Sequence, residues 1–220
     1  MATQGITVEV KGLGVLRQQI TSLNEAEMGR ILKAAINKGV KASRTEASDH
    51  ITTSFTVKKS TLFSGVESGK KSDKLRIYLA TDAVKPSGSL YAVGGPGQGL
   101  RLVEFKYSVV RTGVNVWQYR GVKSGYKHAW VMKFPNGPEE GVFWREKAGQ
   151  FEGSTRKFTP QQFRAMPEKY RRPVVHLRGF SAAQMLDEGD GVEKARKRGE
   201  EVYLEEADRL IELKLNGGNF

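Results

Sequence analysis

The segment from Asn24 to about His50, NEAEMGRILKAAINKGVKASRTEASDH, is the longest run of helix-period sequence in the chain. It limits the fold more than any other stretch. Ile31, Ala35, Ala42 and Ala47 fall on one side, with Leu32, Ile36 and Val40 beside them. Spacings of three, four and seven make an apolar stripe on a 3.6-residue period. Arg30, Lys33, Lys38, Lys41 and Arg44 fall mostly on the other side. Asn24 suits an N-cap, and Glu25 and Glu27 sit where a helix start favours negative charge. No proline interrupts the run. At ~1.5 Å per residue the helix is about 40 Å long, more than a small domain needs to cover one sheet. Such a helix spans a whole sheet or reaches a neighbouring subunit. The plainest expectation is an amphipathic helix over the core with a solvated basic face.

The rest of the chain must supply what this helix packs on. With 220 residues, 38% of them hydrophobic, it is long enough for one elaborated domain or two small ones, with a real core. It has no cysteine, which excludes disulfides and thiolate metal sites. His50, His128 and His176 are its only histidines and lie far apart, so no imidazole pair marks a zinc or iron site. No apolar run approaches the ~20 residues of a membrane span. The opening MATQGITVEV lacks the basic and apolar regions of a signal peptide. A soluble protein kept in a reducing cytoplasm is the expectation.

Charge is spread unevenly. Residues 1–72 carry 11 Lys+Arg against 6 Asp+Glu, residues 73–180 carry 19 against 8, and residues 181–220 carry 6 against 10. A basic body with an acidic C-terminal segment has two readings. One is a surface for nucleic acid or an acidic partner. The other is basic strands and an acidic helix that neutralise each other within or between subunits.

Along the chain, Ile6, Val8 and Val10 alternate with polar residues as a short strand, and Leu13–Leu23 reads as a short helix. Residues 51–74 are rich in Ser, Thr, Lys and Gly and read as a connection with one turn of helix near Lys59–Gly65. Leu75, Ile77 and Leu79 mark a strand. Residues 85–101 read as an exposed glycine-rich loop. Leu102–Val110, Val114–Tyr119 and Ala129–Phe134 have period two; Gly113 sits at a hairpin turn between the first two, and Gly121–Gly125 reads as the turn linking the second to the third. Val142–Arg145 and Pro173–Leu177 complete an antiparallel sheet of four to five strands, interrupted by a polar and aromatic insertion at 149–172. Ser181 is a candidate cap of a short helix, and Val192 to about Leu215 is the C-terminal helix. The fold class is therefore α+β: a small antiparallel sheet covered by a long N-terminal helix, with a C-terminal helix and long loops. We expect a single domain over 1–220, with a helical start (1–50), a sheet region (75–178) and a helical end (181–220).

Motifs for chemistry are weak. Gly65–Ser72 approximates a phosphate-binding loop but has three residues between its glycines where four are needed, then Lys-Lys-Ser. Gly94–Gly99 lacks the strand–turn–helix context of a dinucleotide fingerprint. Ser181, His176 and Asp187 lie near one another in sequence, yet no GxSxG elbow surrounds the serine. Glu139 and Glu140 are adjacent, and adjacent strand residues point apart. Trp117, Tyr119, Tyr126, Trp130, Phe134, Phe143 and Trp144 interleave with Lys and Arg and suit either base stacking or a half-buried sheet. No catalytic residue, cofactor or metal is expected.

Several segments occur in an order that resembles a known family: ITVEVKGLGVLRQQI, ILKAAINKGVKASRTEAS, the GVNV hairpin, Ala129–Phe134, Val142–Glu146 and RPVVHLRGFSAAQML. This order resembles the minor tail protein Z family of tailed bacteriophages and prophages, over nearly the whole chain. The best-marked parts are Phe143–Arg145 and Pro173–Leu186. Phe180 stands where the family pattern has Pro, and Val174 where it has Ile. The resemblance implies a structural virion protein that completes the head-proximal end of the tail, at the tail–neck junction. It implies a ring, of six subunits, contacting a tail terminator or tail tube protein and neck or connector proteins. The place would be the virion, and the host cytoplasm during assembly. Passing DNA is a further expected contact, without sequence preference; a membrane is not. Lys33, Lys41 and Arg44 of the long helix are candidates for docking the next subunit's acidic helix near Glu200, Glu201 and Glu205.

Two other functions fit parts of the sequence. The basic, aromatic middle suits a DNA-binding module. Ser181, His176 and Asp187 are all that would suit a hydrolase.

Overall fold

A computed structural model describes residues 25–64, 72–95, 97–133, 140–145 and 174–218. The expected N-terminal strand and short helix, the Asn24 cap, most of Gly65–Ser72 and the 149–172 insertion lie outside these residues. The chain forms two compact units: Met1–Leu100 with Phe180–Phe220, and Arg101–Gly179.

The first unit is built on α1, Glu25–Ser54, 30 residues and about 45 Å long. It runs past His50 because Ile51 is still fully buried. After Gly29, its buried positions fall in pairs, 31/32, 35/36, 39/40, 43/44 and 47/48, then Ile51. A four-residue repeat on a 3.6-residue helix drifts by roughly 40° per turn, so the buried side winds round α1. Different elements therefore cover it along its length. A one-turn α2, Lys59–Leu62, follows.

The strands β1, Leu75–Tyr78, and β2, Ser89–Ala92, pair antiparallel with Leu75 opposite Ala92 and Ile77 opposite Leu90. These four side chains are buried on the α1 side. β2 lies in the segment read as an exposed loop. The carboxamide of Asn37 holds the end of β1 to the helix: Nδ2 donates to the Ala80 carbonyl (3.2 Å), and Oδ1 accepts from the Ala80 amide (2.7 Å). The short helix α3, Ala182–Asp187, starts at Ser181, whose hydroxyl accepts from the Gln184 amide while the Gln184 side chain accepts from the Ser181 amide. This is the expected cap, completed as a capping box.

The last helix, α4, Gly191–Leu215, packs antiparallel along α1. Lys214 meets Glu27, Lys38 meets Glu206, and Gly199 faces Gly39. The two backbones approach closely there. A Cβ on Gly39 would lie 2.7 Å from the Gly199 carbonyl oxygen, and one on Gly199 would overlap Ser43 Oγ. Only glycine at both positions allows this seam.

The second unit holds two three-stranded antiparallel sheets. One has the order β3 (Lys106–Val110), β4 (Gly113–Trp117), β5 (Ser124–Lys127). The other has β6 (Trp130–Lys133), β7 (Glu140–Arg145), β8 (Val174–Leu177). Leu102, Phe105, Val114, Val116, Val142 and Phe143 are buried in this unit. The fold class is α+β, as the sequence indicates, but the strands form three small sheets among the described residues rather than one of four to five. β5 occupies a stretch read as a turn, and the start of the expected 102–110 strand is a 3-10 turn at Leu102–Glu104.

Candidate assembly surface

The sequence singled out three cations of α1 as a docking face. The structure separates them. Lys33 is half-buried and its Nζ donates to the Thr81 carbonyl at 2.8 Å. Lys41 is half-buried. Arg44 is buried, 1% exposed, with its guanidinium 4.5 Å from the centroid of the Phe63 ring. Burial lowers its pKa and the charge of Asp73 opposes that shift. Asp73 is itself buried and accepts from both the amide and the hydroxyl of Ser64. Arg44 is thus an interior residue and cannot dock a neighbour. The winding of the buried side carries this position inward, where a straight stripe would leave it in water.

The expected partner of α1 is also displaced. The helix that packs on α1 is the chain's own α4, and among the described residues the α4 acid that meets an α1 cation is Glu206. Lys38 Nζ lies 2.5 Å from Glu206 Oε2, and Arg209 donates to both carboxylate oxygens (Nε 3.0 Å, Nη2 2.7 Å). The Glu206 side chain is 10% exposed. Hydrogen bonds from Arg209 hold its pKa down to about 2; burial acts against them, and Lys38 reinforces them. Glu206 carried no mark in the sequence. Gly39 and Gly199 did, since a glycine inside a helical pattern usually has a packing reason.

Glu200 and Glu201 are engaged along their own helix, by Arg196 and Arg198. Glu205 is not. Glu205, Asp208 and Glu212 are exposed and make no ion pair among the described residues. With Leu204, which is 45% exposed, they lie within about 100° of the helix circumference. This is an outward acidic stripe, on the side of α4 away from the seam.

The opposite charge collects in the second unit. Its described residues include nine Lys or Arg and two carboxylates, Glu104 and Glu140, a net charge of +7. Glu104 is occupied by Arg101 at 2.9 Å. Strand register divides the β3–β4–β5 side chains into two faces. Val114 and Val116 point inward. Lys106, Val110, Trp117 and Lys127 share the other face, since Lys106 pairs with Trp117 and Val110 and Lys127 both flank Gly113. Lys106 Nζ sits 5.5 Å from the Trp117 ring centroid. Arg111 directly follows β3, and Lys123 directly precedes β5. Arg111, Lys123 and Lys127 are exposed, and no carboxylate pairs with them among the described residues.

The residues considered for catalysis have other roles. The Ser181 hydroxyl is buried in its capping box. His176 stacks on Phe143 with ring centroids 5.0 Å apart, and burial followed by the charges of Arg178 and Arg101 lowers its pKa. Asp187 is exposed at the end of α3. No group of three or more His, Asp or Glu could hold a metal among the described residues, and no described helix is long and apolar enough to cross a membrane. No family model, curated protein or solved structure matches the chain.

Proposed function

We propose that the chain is a structural subunit that assembles into a ring and completes the head-proximal end of a bacteriophage tail at the tail–neck junction. One observation carries this reading. Among the described residues, charges of opposite sign without ion pairs sit on separate elements: Glu205, Asp208 and Glu212 on α4, and Arg111, Lys123 and Lys127 in the second unit. Charge left unpaired in this way suits contacts between subunits better than stability within one. Heterologous contacts of that kind close into rings when the rotation between subunits permits. The order of segments resembling the minor tail protein Z family supplies the place: the virion, between a tail terminator or tube protein and the neck or connector proteins. Six subunits is the proposed count, and the role is structural rather than catalytic. Electron microscopy of virions and sedimentation of the purified chain test it. Rings in solution and label at the head-proximal tail end are expected. A chain absent from the tail and monomeric at every concentration refutes it.

A second reading has its own support. The Lys106–Trp117 face bears no carboxylate among the described residues, which suits contact with a phosphate backbone. Binding to duplex DNA that falls steeply with salt would favour a DNA-binding module, or a ring whose lumen touches DNA. Binding that is absent at physiological salt removes it.

A further inference from the structure

We propose that the outer stripe of α4, Leu204 with Glu205, Asp208 and Glu212, docks on the β3–β4–β5 face of a second copy of this chain, against Val110 with Arg111, Lys123 and Lys127. The inference rests on the ring reading above and identifies its junction.

Three observations converge. The first is charge: three carboxylates without ion pairs on one side, and three cations without ion pairs on the other, each among the described residues. The second is the apolar centre. Leu204 is 45% exposed within the acidic stripe, and Val110 is 39% exposed on the basic face. Each lies within a surface of one charge sign, as the apolar core and charged rim of a protein interface require. The third is dimension. Glu205 to Glu212 spans about 10 Å along the helix axis. Three strands at ~4.8 Å spacing present a face about 10 Å wide between outer strand axes, close to the diameter of one helix. The seam of α4 with α1 is on the other side of the helix, so docking leaves it undisturbed.

The contact is heterologous: every copy offers one acidic stripe and one basic face. It therefore propagates from copy to copy until it closes. It differs from the junction expected from the sequence. The acidic partner is on the same helix, one to two turns after Glu200 and Glu201, and the basic partner is in the second unit and not on α1.

The test uses two charge-reversed full-length variants. One carries Glu205→Lys, Asp208→Lys and Glu212→Lys. The other carries Arg111→Glu, Lys123→Glu and Lys127→Glu. All six positions are exposed, and retained melting temperatures will verify that both variants fold. Sedimentation velocity over a concentration series should show each variant alone associating at least about tenfold more weakly than the unaltered chain. Mixed one to one, the variants are complementary at both junctions, and assembly should return as an alternating oligomer. Variants that assemble as the unaltered chain does overturn this junction and leave the ring reading standing. Loss in both with no recovery on mixing also overturns it. If the sheet variant loses only DNA binding, the face belongs to nucleic acid and the proposal fails. An unaltered chain that is monomeric throughout removes the ring reading and this junction together.

Discussion

The α1–α4 seam and the β3–β4–β5 face handle charge in opposite ways. At the seam, Glu206 is nearly buried and held by Lys38 and Arg209. Lys214 and Glu27 close one end at 3.0 Å, and the glycines at 39 and 199 bring the backbones together. On the sheet, Arg111, Lys123 and Lys127 stand in water with no carboxylate beside them among the described residues. Both regions are rich in charge, but only the seam converts it into stability of the subunit. A count of charged residues cannot tell these uses apart. Burial and pairing can.

The sharpest way to break the comparison is at Arg44. Arg44→Ala should cost about 3 kcal/mol, because it empties a buried site over Phe63 and removes the charge facing buried Asp73. Thermal melts would reveal it; a change under ~0.5 kcal/mol would mean the guanidinium is solvated after all. Next is Gly199→Val, whose side chain must enter the space of Ser43 and the Gly39 carbonyl. A loss of about 2 kcal/mol is expected, measured by denaturant titration. An unchanged midpoint would show the seam to be looser than its geometry.

Acid titration gives a smaller effect. Glu206 has a folded pKa of about 2, well below the ordinary glutamate range. A depressed carboxylate stabilises the fold fully above its unfolded pKa. That contribution fades as pH falls from ~4.5 towards ~2. Allowing for solvent screening at a residue near the surface, about 1–2 kcal/mol should disappear over that window. Glu206→Gln should flatten this part of the stability–pH curve, and a curve of unchanged slope would dismiss the pairing as a stabilising element. The smallest effect belongs to the sheet: Lys127→Ala should alter subunit stability by less than ~0.5 kcal/mol. A larger loss would make the sheet face structural and erase its contrast with the seam.

Local period made α1 and α4 legible, and the hairpin at Gly113 likewise. The capping box at Ser181 was visible as a cap. What escaped depended on partners distant in sequence. β2 has only Leu90 and Ala92 to reveal it, set among glycines and prolines, and it becomes a strand by pairing with β1. β5 reads as a turn because Ser124-Gly-Tyr-Lys127 has no apolar alternation, and β4 supplies its hydrogen bonds. Arg44 escaped because the buried side of α1 winds, which carries inward a position that lies on the polar side of a straight stripe. Of the six residues first assigned to a junction, Glu205 alone keeps an exposed position without an ion pair among the described residues. Glu200 and Glu201 were indistinguishable from it until their neighbours Arg196 and Arg198 were placed on the same helix.

The antiparallel seam joins the beginning of the described chain to its end. More than 130 residues separate Ser54 from Gly191. At the ~5–20 residues per second of ribosomal synthesis, α1 must wait roughly 7–27 s before its partner helix begins to be made. During that interval the glycine seam of α1 has nothing against it. The second unit, contiguous in sequence, is free to form first. Folding of the first unit is thus timed by the arrival of the last helix, and a nascent chain stalled before Gly191 would present α1 to chaperones, or to the α4 of another copy.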